Sequence, residues 1–239
     1  NRKFSVLMSV YIKENPAFLK EAVESILHQT LQPSEVVIVE DGPLTPELYQ
    51  VLEELEAQSS IPIKRCPLEQ NRGLGLALKY GVTQCQYDVI ARMDTDDIAV
   101  EDRFEQQFEL METENLDLLG GHIAEFIDQP DEIVSYRRVP IKHEDIIVYQ
   151  RMRSAFNHMT VMFKKEMVLK AGNYEDGLYM EDDLLWLNMI SAGARTGNVD
   201  QILCKVRVGA GMFERRGGLR YLKLYRQARK RMHERGQIS

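Results

Sequence analysis

Residues 87–97 read Tyr-Asp-Val-Ile-Ala-Arg-Met-Asp-Thr-Asp-Asp. A short run from Tyr87 to Met93, apolar and β-branched in its middle, stops abruptly at Asp94, the pattern of a buried strand that ends in a polar loop. The same grammar repeats upstream. Residues 35–41 (EVVIVED) make a nearly continuous apolar strand closed by Gly42-Pro43, and the helix that follows is capped near Thr45 and carries Leu48, Val51, Leu52 and Leu55. Residues 4–10 (FSVLMSV) run into Asn15-Pro16 and then a helical pattern through Phe18, Leu19, Ala22, Val23, Ile26 and Leu27. Ile61 to Cys66 is a third short strand, and a helix starts near Gly73 and runs through Ala77 and Leu78. Strands alternating with helices at this spacing predict parallel β-α-β units in a doubly wound α/β sheet.

Beyond Asp97 the pattern is less regular. Strands are expected over 116–126, 132–139 and 160–164, and helices over 144–152 and 181–191. A basic helix is expected over 217–235, where Tyr221, Tyr225, Ala228 and Met232 recur at steps of four, three and four. With 239 residues, no internal repeat and no low-complexity linker, the two halves are expected to share one core. A hydrophobic content of 44% and a charged content of 28% exclude the disordered and fibrous classes.

Cys66, Cys85 and Cys204 are odd in number and far apart, which fits neither a zinc site nor a disulfide framework and points to a reducing cytoplasm. No stretch approaches the ~20 apolar residues of a membrane span, and no signal-peptide pattern precedes Phe4, so the chain is expected to be neither secreted nor integral. The net charge of −7 is unevenly spread: residues 205–239 hold eleven Lys or Arg against Glu214 and Glu234, a local charge of +9. The acidic remainder argues against nucleic-acid binding, and any surface that attracts anions is expected at the C-terminal end.

Ligands of open α/β sheets sit at the C-terminal strand ends, where the loops after Ser9, Asp41 and Asp94 deliver polar groups. Asp41 serves there either as a ligand contact or as the opener of a turn with Gly42. In an extended loop, residues i and i+2 point the same way, so Asp94 and Asp96 can converge on one cation. Hard oxygen ligands suit Mg²⁺ or Mn²⁺, which take one or two carboxylates and fill their remaining positions with water and substrate phosphates. Residues 180–186 (MEDDLLW) set a second acidic cluster at the start of a helix, where the helix dipole is expected to keep Asp182 ionised, as a general base requires. First-turn acids are also ordinary helix starters. His158 is read either as a contact to donor phosphate or acceptor or as a satisfied structural residue, and Trp186 as core.

Taken together, FSVLMSVY (4–11), EVVIVEDGP (35–43), NRGLGLALKYGV (71–82), RMDTDD (92–97), NHMTVMFKKEMVLKAG (157–172) and MEDDLLWL (180–187) resemble the family 2 inverting glycosyltransferases of the GT-A fold, in particular bacterial enzymes of cell-surface polysaccharide synthesis. The resemblance covers nearly the whole chain. It implies a Rossmann-like, mostly parallel central sheet flanked by helices, in a single domain with a nucleotide-binding half (1–97), an acceptor half (98–204) and a basic C-terminal loop and helix (205–239). It further implies a nucleotide-diphosphate sugar donor, typically a UDP-sugar, held by Ser9, Val10, Glu40, Asp41, Arg72 and Asp94. Asp96 and Asp94 would hold Mn²⁺ or Mg²⁺, and Asp182 would be the catalytic base. Glu181, His158, Arg207 and Arg215 would serve the acceptor or the diphosphate, with the two arginines preceding the basic helix in a loop that closes over the donor.

The acceptor would be a glycan or a lipid-diphosphate-linked sugar, and the basic helix suits peripheral contact with an anionic membrane, at the inner face of the plasma membrane. The Gln-x-x-Arg-Trp motif of processive synthases is missing, so transfer of one sugar is expected. Small departures from the family pattern bear on donor and acceptor: Glu40 replaces a more usual aspartate, Asp183 stands where an aromatic is frequent, and Asn188 where an arginine is common. Two competing classes remain. A noncatalytic nucleotide-sugar-binding subunit would have lost the acids that are intact here, and a sugar-phosphate nucleotidyltransferase would carry an N-terminal Gly-rich loop that is absent.

Overall fold

A computed structural model describes residues 2–176, 180–209 and 218–238. Among these, nine strands form one sheet. Four of them are the expected parallel strands: β1 (Ser5–Val10), β2 (Glu35–Glu40), β3 (Ile63–Pro67) and β4 (Val89–Arg92), linked by helices α1 (Pro16–Leu27), α2 (Pro46–Gln58) and α3 (Leu74–Gln84). The helix starts are written locally. Asn15 accepts the N–H of Ala17 at 2.9 Å ahead of Pro16, and Thr45 accepts that of Leu48 at 3.3 Å ahead of Pro46.

The rest of the sheet is built from β5 (Ile98–Ala99), β6 (Leu118–Phe126), β7 (Ile133–Arg137), β8 (Met162–Lys164) and β9 (Thr196–Arg207). Strand order is β3-β2-β1-β4-β8-β6-β9-β5, with β7 paired to β6. β6 and β9 run parallel, whereas β8 is antiparallel to both β4 and β6. Helices α4 (Arg103–Thr113), α5 (His143–Gln150), α6 (Lys165–Lys170), α7 (Glu181–Ser191) and α8 (Gly218–Glu234) complete the described chain.

Helices cover both faces because successive strand residues point to opposite sides. Val6, Met8, Val36 and Ile38 pack with Leu19, Leu48 and Phe104 on one face; Leu7, Val37 and Val39 pack with Leu78, Leu185 and Trp186 on the other. Residues from before and after Asp97 are mixed in both cores. Trp186 is fully buried against Phe156, as its helical neighbours suggest. α8 lies over α7 through Leu184, Leu187, Met232 and Ile238, and Arg231 and Arg235 fasten it to Glu175 at 3.2 and 2.6 Å.

α4 and β9 have no counterpart in the sequence expectation. Phe104, Phe108 and Met111 carry a helical period in α4, but Arg103 and Gln107 are buried among them and dilute the signal. β9 is interrupted by exposed Asp200 and Gln201, where its register against β6 shifts. Residues 158–160, expected to open a strand, form a single 3₁₀ turn before β8.

Candidate active site

The register of the parallel strands brings their C-terminal ends to one edge. Val10 lies opposite Glu40, the N–H of Asp41 reaches the Val10 carbonyl at 2.8 Å, and the N–H of Met93 reaches that of Leu7 at 3.1 Å. Val10, Glu40, Asp41 and the acidic loop after Met93 therefore share one edge of the sheet. Both oxygens of Asp41 are engaged: Oδ1 accepts the N–H of Arg72 at 2.7 Å and Oδ2 that of Gly73 at 3.0 Å. The carboxylate thus ties the 71–73 loop to the end of β2. Gly42, at φ 86°, lets that loop approach, since a Cβ there would stand 2.6 Å from the Asn71 nitrogen. Glu40 is buried and accepts from Arg65 Nε at 2.5 Å, while the Arg72 side chain is exposed and Ser9 half-buried.

Asp94, Asp96 and Asp97 bring carboxylate oxygens within 4.8 Å of one another. Asp97 is buried, and burial, followed by the charges of Asp94 and Asp96, pushes its carboxyl well above the usual range. One of its oxygens accepts the N–H of Arg207 at 3.0 Å. Three crowded acids, two of them partly open to solvent, form an all-oxygen donor set that fits a hard divalent cation. Arg92, the one charged residue in an otherwise apolar strand, is buried beneath them and ion-paired with Asp94, and its Nε and Nη1 have no hydrogen-bond partner among the described residues.

The second acidic cluster lies close by. Glu181, at the start of α7, is held up by burial, drawn down by its own N–H and by Arg92, and pushed up by Asp94, so it shares the field of the same guanidinium. Asp182 also departs from the sequence expectation. Burial, then the charges of Asp183 and Glu181, outweigh the N–H groups of the helix start and push its carboxyl well above the ordinary range. α7 is held against α3 at Gly75, where a Cβ would stand 2.7 Å from the Glu175 oxygen and 2.9 Å from Glu181 Cβ.

Two other expected contacts are already committed within the fold. His158 Nε2 meets the Tyr174 hydroxyl at 2.9 Å, its ring packs on Trp186, and burial beside Arg92 keeps it neutral, well below the usual histidine range. The Arg207 guanidinium pairs with Glu21 at 2.6 Å and lies 3.8 Å from the Phe18 ring centre and 4.6 Å from that of Phe126, so its charge is spent against α1. Arg215 lies outside the described residues. Sequence reasoning missed Arg92, Arg65 and Gly75; of these Arg92 carried a signal, as a charge inside a buried-looking strand directly before the carboxylates.

The model of "Glycosyl transferase family 2" matches residues 5–173. An amylovoran biosynthesis glycosyltransferase, AmsE, of Erwinia amylovora is 42% identical over 92% of this chain and 82% of its own length. A UDP-Gal:alpha-D-GlcNAc-diphosphoundecaprenol beta-1,3-galactosyltransferase of Escherichia coli is 39% identical over 92% of this chain and 79% of its own. Among solved structures, S. aureus TarS 1–349 in complex with UDP-GlcNAc superposes with a TM-score of 0.69 at 17% identity, over 95% of this chain and 65% of that one, a likeness of fold. With an α/β sheet of the GT-A type and a family match over most of its length, the chain belongs to glycosyl transferase family 2 and is a glycosyltransferase.

Proposed function

We propose that the chain moves one sugar, with inversion, from a UDP-sugar to a hydroxyl of a glycan or lipid-diphosphate-linked acceptor in the assembly of a surface polysaccharide. The observation that carries the reading is that acids from the loop after β4 and from the start of α7 flank one buried cation, Arg92. Asp96 and Asp94 would hold Mn²⁺ or Mg²⁺, which when bound supplies positive charge to the departing diphosphate. Ser9, Val10, Glu40, Asp41 and Arg72 would hold the nucleotide, with Asp41 at the base and Glu40 near the ribose.

Asp182 accepts the proton of the acceptor hydroxyl as that oxygen bonds to the anomeric carbon. The bond from carbon to diphosphate oxygen breaks, and its electron pair leaves with the nucleoside diphosphate. Burial raises the proton affinity of this carboxyl, so it must first give up its own proton, and the carboxylate that results is the stronger base for the step. Glu181, whose carboxyl burial raises despite the charge of Arg92, would support acceptor binding.

The relatives' printed roles, in amylovoran synthesis and on a diphosphoundecaprenol-linked sugar, support the polysaccharide and lipid-linked parts of the reading. No helix among the described residues is long and apolar enough to cross a membrane. The exposed face of α8, with Leu222 among Lys223, Arg226 and Lys230, suits peripheral contact with anionic lipid. Calorimetric titration with UDP, GDP and dTDP, each with Mn²⁺ and with EDTA, tests the donor side. Metal-dependent binding of UDP alone is expected, and binding of none of the three would contradict the reading.

A further inference from the structure

A cavity of about 150 Å³ opens between α5, α7 and α8, on the face of α7 next to the one that carries Asp182. Asp183, Gln150 and Ser154 form its polar side, Met180 and Met232 its apolar side, and Arg229 stands at its margin. Gln150, 2% exposed, is fixed at both ends of its amide: Oε1 accepts the N–H of Ala155 at 2.8 Å, and Nε2 donates to Asp183 Oδ1 at 2.8 Å. Arg229 is anchored by an N–H donated to the Arg151 carbonyl at 2.9 Å. Burial raises the Asp183 carboxyl, while Gln150, Ser154 and Arg229 draw it back down.

We infer that this cavity receives the hydroxyl-bearing edge of the acceptor's sugar ring, with Asp183 and Arg229 as the hydrogen-bonding pair that selects it. The inference rests on the transfer reading above, because the neighbouring base is what makes this the acceptor side. A carboxylate has about four lone-pair sites, and Gln150 takes one of those on Asp183, leaving acceptors for sugar O–H groups. The guanidinium supplies donors for hydroxyl oxygens, and the methionine side chains give an adaptable surface for the C–H face of a ring.

An anion is disfavoured by the half-buried carboxylate, and an apolar chain would leave Asp183 and Arg229 without ligand partners inside a lining whose apolar part is formed by methionines and Tyr225. The volume admits several waters' worth of atoms, which suits one edge of a pyranose and not a disaccharide.

The test uses the full chain with UDP-galactose, Mn²⁺ and a synthetic GlcNAc-α-diphosphate bearing an alkyl tail. Asp183→Asn and Arg229→Met are each expected to raise the acceptor KM at least tenfold while the UDP Kd stays within twofold of wild type. The two residues lie on different helices, so a fold defect in one variant leaves the other to decide. An unchanged acceptor KM in a folded variant, or a UDP Kd that shifts along with it, overturns the inference. Wild-type protein that binds no nucleotide overturns the transfer reading and the cavity's role together.

Discussion

Gly75→Ala isolates the contact that sets the base-bearing helix. A Cβ at this position would lie 2.7 Å from the Glu175 oxygen, 2.9 Å from Glu181 Cβ and 3.3 Å from Glu181 Cγ. Ordinary contact begins near 3.4 Å, so the start of α7 and the 175 main chain must retreat by about half an ångström or more. Replacing glycine within a helix gains about 1 kcal/mol, and overpacking costs about 1–3 kcal/mol, so the net loss of stability is expected to be about 0–2 kcal/mol. Activity should suffer far more, because a shift of about 1 Å in a catalytic group can cost on the order of 100-fold.

The assay pairs urea unfolding with kcat at saturating donor, beside Gly81→Ala as control. A Cβ at Gly81 would meet the Leu7 and Val39 side chains within the core rather than the first turn of α7. The expected result is a comparable stability loss in both variants and a kcat loss only in Gly75→Ala. Normal kcat in folded Gly75→Ala would refute the idea that α3 positions the base through this contact.

Asp182→Asn should be more stable than wild type at pH 7. In the folded chain this carboxyl holds its proton to higher pH than in the unfolded chain, so wild-type stability falls as pH rises through that interval, a cost asparagine does not bear. Urea midpoints of the two proteins should converge below about pH 3, where both states of the aspartate are protonated; an asparagine variant less stable at pH 7 would contradict the raised pKa. Arg92→Met removes the cation beneath Asp94, Asp97 and Glu181 and should destabilise the chain by about 3 kcal/mol. Thermal melts should show Mn²⁺ restoring more stability to this variant than it adds to wild type, and equal responses would show that Arg92 does not balance the acidic loop.

Legibility of the fold follows the locality of its causes. β1, β2 and β4 were readable because they are buried on both faces, and α1 and α2 because each start carries its own cap, Asn15-Pro16 or Thr45-Pro46. β9 was hidden by the two exposed polar residues at its register shift, and α4 by the buried Arg103 and Gln107 on its inward face. Each acidic cluster of the site could be read from the chain as a motif. Arg92 itself carried a signal, as a charge in an apolar strand, but its link to Glu181, nearly ninety positions away, is made by burial alone. For the same reason the fate of Arg207 was closed to sequence reasoning, since Glu21 comes from a distant part of the chain, whereas His158, engaged by Tyr174, fits the structural alternative read from the sequence.

The central claim is that Asp182 takes the acceptor proton, and single-turnover transfer by Asp182→Asn tests it most directly, with UDP-sugar affinity measured on the same preparation. The account predicts donor binding close to wild type and transfer slowed by about 100-fold or more. Transfer at a near wild-type rate, with the donor bound normally, would contradict it.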